Sequence, residues 1–105
     1  MADTYWLSFR LNDSGQWADT YDHRYDALID VIKTSCNGKW WFETSSFFLF
    51  ASTRTADQLV SSIKMAIAES VDLVVLGKTD YKTGRVIGNC KDKDIYELVP
   101  FMKKA

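Results

Sequence analysis

Thr55-Ala56-Asp57-Gln58 is the stretch on which the fold turns. A threonine hydroxyl that can accept from the amide three residues on, with a glutamine there to reach back to the threonine N–H, is a capping box and opens a helix. Leu59, Ile63, Ala66 and Ile67 follow at helical spacing and make one apolar stripe, so this helix buries one face. On the N-terminal side of the box lie two short aromatic-rich runs, Lys39 to Glu43 and Ser46 to Ala51, separated by Thr44-Ser45. Their length and composition predict strands two and three, in a hairpin or closely following one another. On its C-terminal side, Val71 to Leu76 is a β-branched, nearly continuous apolar run ended by Gly77, which predicts strand four.

Further towards the N-terminus, Tyr5, Leu7, Phe9 and Leu11 alternate with Trp6, Ser8 and Arg10, the period of two of a strand that buries one face. The turn chemistry of Asn12-Asp13-Ser14-Gly15 ends it. Asp22 is a candidate N-cap for a first helix running to Cys36, with Tyr25, Leu28, Val31 and Ile32 at helical spacing and Asn37-Gly38 as the stop. Beyond strand four, Arg85 to Gly88 reads as a fifth, edge strand, and Asp94 to Met102 as a short terminal helix whose last turn Pro100 opposes. The resulting order is strand, helix, strand, strand, helix, strand. It predicts a single α+β domain over 1–105, a ferredoxin-like βαββαβ sandwich with both helices on one face of the sheet.

Composition fits one core. The chain has 105 residues, of which 47% are hydrophobic and 14% aromatic, too apolar for disorder and too short for two self-sufficient domains. Net charge is −1, which removes the strong electrostatic case for a nucleic-acid partner that a basic domain would carry. The balance shifts along the chain: residues 1–77 hold ten acids and six bases, residues 78–105 four acids and seven bases. Met1-Ala2-Asp3-Thr4 is not a basic segment followed by an apolar one, and no apolar run approaches the roughly 18 residues a membrane span needs. The expectation is a cytoplasmic protein without a membrane partner, in which Cys36 and Cys90 are free buried thiols.

Three stretches carry a resemblance: Trp6-Leu7-Ser8-Phe9-Arg10-Leu11-Asn12, Tyr25-Asp26-Ala27-Leu28-Ile29 and Trp41-Phe42-Glu43-Thr44-Ser45-Ser46-Phe47. They resemble the small ferredoxin-fold proteins related to the CRISPR-adaptation nuclease subunit, including VapD-like and SinR-like proteins, over most of the chain. The resemblance implies a dimer. It also implies, in nuclease members, a metal-binding aspartate near the end of strand one, where this chain has Arg10. A guanidinium cannot ligate Mg²⁺ and opposes a divalent ion beside it, so the family activity does not carry over. Arg10 can instead contact phosphate, and it is the candidate nucleic-acid-binding residue.

No other constellation brings chemistry together. Asp13, Asp19, Asp22 and Asp26 offer carboxylates for a metal-dependent endoribonuclease built on Asp13 or its neighbours, but turn, cap and helix-end roles account for most of them. His23 is the only histidine, and if it shares helix one with Cys36 the two are roughly 20 Å apart, too far for a dyad. Gly77, Gly84 and Gly88 form no phosphate-binding loop, and the two cysteines lack zinc-site spacing. No residue is assigned as catalytic or metal-ligating, and no cofactor is expected.

What stands out is the aromatic group Trp6, Trp40, Trp41, Phe42, Phe47, Phe48 and Phe50. Successive residues in strands three and four, Phe47 with Phe48 and Val74 with Val75, are apolar, so both sheet faces are apolar and helices cover only one. We assign the second face to Phe48, Phe50, Val74 and Leu76 and expect another copy of the chain to cover it. The alternatives are a stacking platform for single-stranded nucleic acid and a structural module that binds another protein.

Overall fold

The computed structural model describes residues 2–15, 20–79 and 82–105. The capping box forms as expected. Gln58 N–H donates to Thr55 Oγ1 at 3.1 Å and Thr55 N–H to Gln58 Oε1 at 2.9 Å, opening helix α2, Ala56–Ala66. Helix α1, Tyr21–Ser35, starts earlier than the sequence suggests. Thr20 is its N-cap residue, without a capping hydrogen bond, and Asp22 lies inside the first turn, where its charge still favours the helix dipole. At the other end, Gly38 takes φ +120°, and Asn37 ties the stop to the sheet by accepting from Thr53 N–H at 2.9 Å.

The strands are β1 (Asp3–Arg10), β2 (Trp40–Thr44), β3 (Phe47–Ser52), β4 (Leu73–Lys78), β5 (Gly84–Gly88) and β6 (Met102–Lys104), with a short α3, Ile95–Leu98, before the last. They form a six-stranded mixed sheet in the order β2-β3-β1-β4-β5-β6. The first four are antiparallel to their neighbours, with β1 at the centre of that group; β6 lies parallel to β5. Two expectations are corrected here. Strand β5 is internal, not an edge, because the residues read as the end of a terminal helix add β6 beside it. Pro100 explains why α3 stops: the residue before a proline is steered out of the helical region, and Val99 sits at φ −128°, ψ 85°.

Helices α1 and α2 cover one face. Leu28 and Ile32 from α1 and Leu59, Val60 and Ile63 from α2 pack in one cluster with Tyr5, Leu7, Phe9, Phe48, Phe50, Val74, Leu76 and Ile87 of the sheet. Burial of this kind supplies most of the driving force for folding, about 25 cal/mol per Å² of apolar area removed from water. Tyr5 donates its hydroxyl to the Arg54 carbonyl at 2.8 Å, and burial raises its pKa although Lys78 nearby opposes the shift. Among the described residues, no helix is long and apolar enough to cross a membrane.

Candidate functional site

The register assigns every central side chain to one face or the other. Trp6 lies between Leu49 and Gly77, Ser8 between Phe47 and Val75, and Arg10 beside Leu73. Trp41 pairs with Leu49 on the far side. Because alternate residues share a face, these side chains occupy the side of the sheet opposite α1 and α2. Trp6, Phe47, Leu49, Leu73 and Val75 are half-buried there, and Trp41 is 40% exposed. The result is an apolar face with a serine at its centre and an arginine at one end.

Two glycines shape it. A Cβ on Gly77 would fall 2.5 Å from the Trp6 indole, so the ring lies flat across β4 only because no side chain stands there. A Cβ on Gly84 would fall 2.6 Å from Met102 Sδ, so Met102 covers β5 in the same way. Residues 89–101 pass beside this part of the face. Their first link is Asn89, whose N–H donates to the Asp72 carbonyl at 2.7 Å and whose carbonyl accepts from Arg10 Nη2 at 3.1 Å. A groove of about 440 Å³ remains between them and the sheet, lined by Leu73, Val75 and Arg10 on one side and Ile95, Leu98 and Val99 on the other.

The expected interface residues lie elsewhere. Phe48, Phe50, Val74 and Leu76 are each at most 2% exposed and belong to the core beneath the helices. The correction is an offset of one residue in each strand: the outward set is Phe47, Leu49, Leu73 and Val75. Alternation in β3 and β4 is apolar at both parities, so composition alone left the choice open. The aromatic group divides accordingly. Phe42 stacks on Phe48 at 3.8 Å and Trp40 stacks on the same ring at 6.0 Å, roofing the core at the β2 edge, while Lys33 sits 5.7 Å over Trp40. Trp6, Trp41 and Phe47 belong to the open face, with Trp41 edge-on to Phe47 at 6.3 Å.

The carboxylates expected near strand one do not converge among the described residues. Asp13, Asp22 and Asp26 are exposed, Asp19 lies outside the described residues, and no group of three or more His, Cys, Asp or Glu side chains among the described residues is placed to hold a metal ion. His23 is exposed, and Cys36 and Cys90 are free and half-buried.

The charged pair that matters to the fold was not among the sequence candidates. Arg24 and Asp72 are 6% and 0% exposed and meet in a bidentate bridge, Nε to Oδ2 at 2.9 Å and Nη2 to Oδ1 at 3.2 Å. Asp72 also accepts from Asn12 N–H and Ala68 N–H, both at 2.8 Å. Arg24 further donates to the Asn12 carbonyl at 2.6 Å and to Thr20 Oγ1 at 2.7 Å. The carboxylate's two oxygens take four hydrogen bonds, so the pair clasps the end of β1 to α1 and to the start of β4 and is committed to structure. A signal existed. Arg24, Leu28 and Ile32 share one helix face at intervals of four, and Asp72 interrupts the apolar run from Val71 to Leu76.

Compared with protein-family models, with curated proteins and with solved structures, the chain matches none.

Proposed function

We propose that the protein is a non-catalytic binding module that works as a homodimer through the open face of its sheet. The carrying observation is the apolar continuity of Trp41, Leu49, Trp6, Phe47 and Val75 across three strands and their edge neighbour. Second-copy packing suits this face because Thr4, Trp6, Ser8, Phe47, Leu49, Leu73 and Val75 are all uncharged, so two copies bring no like charges together at the centre. Size is adequate. A two-layer domain is thin across its layers, so the 41 × 32 Å extents lie in the sheet plane and give a projected face on the order of 1,000 Å², against about 800 Å² per partner in a standard interface.

The order β2-β3-β1-β4, with a helix after β1 and another after β3, supports a ferredoxin-like reading of the first four strands. Membership of the CRISPR-adaptation-subunit, VapD-like and SinR-like group is part of the same proposal. Free thiols at Cys36 and Cys90 suit a reducing, cytoplasmic setting. In this reading Arg10 replaces the metal-binding aspartate of the nuclease members, and Mg²⁺ or Mn²⁺ should not produce RNA or DNA cleavage. Chelator-sensitive cleavage lost in Asp13→Asn would establish the endoribonuclease instead.

Light scattering coupled to size exclusion tests the dimer. The wild type should elute with twice the mass of one chain at micromolar concentration, and Leu49→Lys should elute as a folded monomer, because a charge would be buried unpaired at the centre of the interface. A wild-type monomer sinks the reading. One observation favours a second use of the face: Arg10 shares it with Trp6, Trp41 and Phe47, the pairing of cation and stacking rings that single strands use. That use requires a monomeric chain with salt-sensitive oligonucleotide binding that weakens in Arg10→Ala.

A further inference from the structure

We propose that the groove between residues 89–101 and the sheet is the contact that fixes the geometry of that dimer, with Arg10 of each copy set against Asp92 and Asp94 of the other. The proposal rests on the homodimer reading and adds to it the place and the register of the contact.

The groove is apolar inside, with Leu73, Val75, Ile95 and Val99 along it, and four charged side chains line it: Arg10, Lys91, Asp92 and Asp94. The ion pairs among the described residues, Arg24–Asp72, Lys78–Asp3 and Arg85–Asp57, include none of these four. Both signs are therefore presented without being satisfied inside the chain. Arg10 is exposed and uses one donor on the Asn89 carbonyl, and Asp92 uses one oxygen on Asp94 N–H at 3.0 Å. Two cations and two anions make the groove neutral, so a small anion or cation gains no net attraction from it. A surface bearing the same charges in two-fold-related order does, because each cation then meets the partner's anion. A second copy of this chain is such a surface.

Leu98 supplies the apolar half of the match. It stands on the rim of the groove and is 80% exposed, the largest exposure of an aliphatic side chain apart from Met65 among the described residues. It sits on a helix of four residues with no buried side chain, and a cover for it and for the open groove beside it has to come from outside the chain.

A mixing experiment decides the pairing. In Arg10→Asp, two copies would face acid against acid; in the double variant Asp92→Lys and Asp94→Lys, base against base. Each protein alone should show at least a tenfold weaker dimer by sedimentation equilibrium, with unchanged unfolding of the monomer because all three positions are exposed. Mixed at equal concentration, the two should form a heterodimer, since both reversed contacts are then complementary. Raising salt from about 50 to 500 mM should weaken the wild-type dimer several-fold as these exposed pairs are screened. A wild-type dimer whose association is unaffected by either charge reversal, or a mixture that does not recover, overturns the pairing and leaves the open-face dimer standing. A wild-type monomer at tens of micromolar overturns both, and salt-sensitive binding of an oligothymidylate by that monomer would give the face to nucleic acid.

Discussion

The two faces of the sheet are built from the same kinds of residue and have opposite fates. On the covered face, Phe48, Phe50, Val74 and Leu76 are removed from water by α1 and α2 and share one cluster with both helices. On the open face, Phe47, Leu49, Leu73 and Val75 sit one residue away in the same strands and remain half-exposed. A face that a chain can cover by itself contributes to its own stability, whereas one it leaves apolar contributes only when something else covers it. Substitutions on the two faces should therefore separate into effects on folding and effects on association.

The largest effect should come from the clasp at the margin of the covered face. Asp72→Ala strands the Arg24 guanidinium, 8% exposed as a side chain, and two backbone donors, and should lower unfolding free energy by about 3–5 kcal/mol. Denaturant unfolding measures it; a cost under about 1 kcal/mol would mean that water reaches the site and the clasp is not buried.

Next is the direct comparison. Phe48→Ala should cost about 3–4 kcal/mol, as expected for a fully buried ring, while Phe47→Ala should change monomer stability by less than about 1 kcal/mol and weaken the dimer instead. Both need measurement over a range of protein concentrations, because dissociation of a dimer adds to apparent stability. Equal costs at the two positions would mean that the strand parity is wrong.

Gly77→Ala probes the open face alone. The new methyl meets the Trp6 indole and should cost about 1–2 kcal/mol by overpacking, most of it recovered in a Trp6→Ala background. Additive costs in that cycle would remove the indole from β4. The smallest effect belongs to the capping box: Thr55→Ala should shift the unfolding midpoint by the equivalent of about 1 kcal/mol and leave association unchanged.

Sequence reading fared best where the signal is local. The capping box Thr55–Gln58 fixes the start of α2 because the two side chains and two amides lie within one turn. In β1 the alternation of Tyr5, Leu7 and Phe9 with Ser8 and Arg10 names the covered side, because the outward positions include polar residues. The hairpin of β2 and β3 and the four-strand, two-helix order were legible for the same reason. At α1 the local signal was ambiguous, since Asp22 suits both the cap and the first turn, and Thr20 with Arg24 decided it.

What the tertiary structure alone decided is register and closure. Whether Phe47 or Phe48 faces the helices depends on how β3 pairs with β1, a relation between residues about forty apart that no local pattern encodes when both parities are apolar. The same holds for Met102, whose strand exists only because β5 offers a free edge for parallel pairing, and for Arg24 and Asp72, forty-eight residues apart, whose charges can be buried only because folding brings them into one bidentate bridge. The candidate face follows from these pairings: its aromatic composition was visible in the sequence, but which residues compose it was fixed by the hydrogen-bond register of the sheet and by the side on which the helices pack.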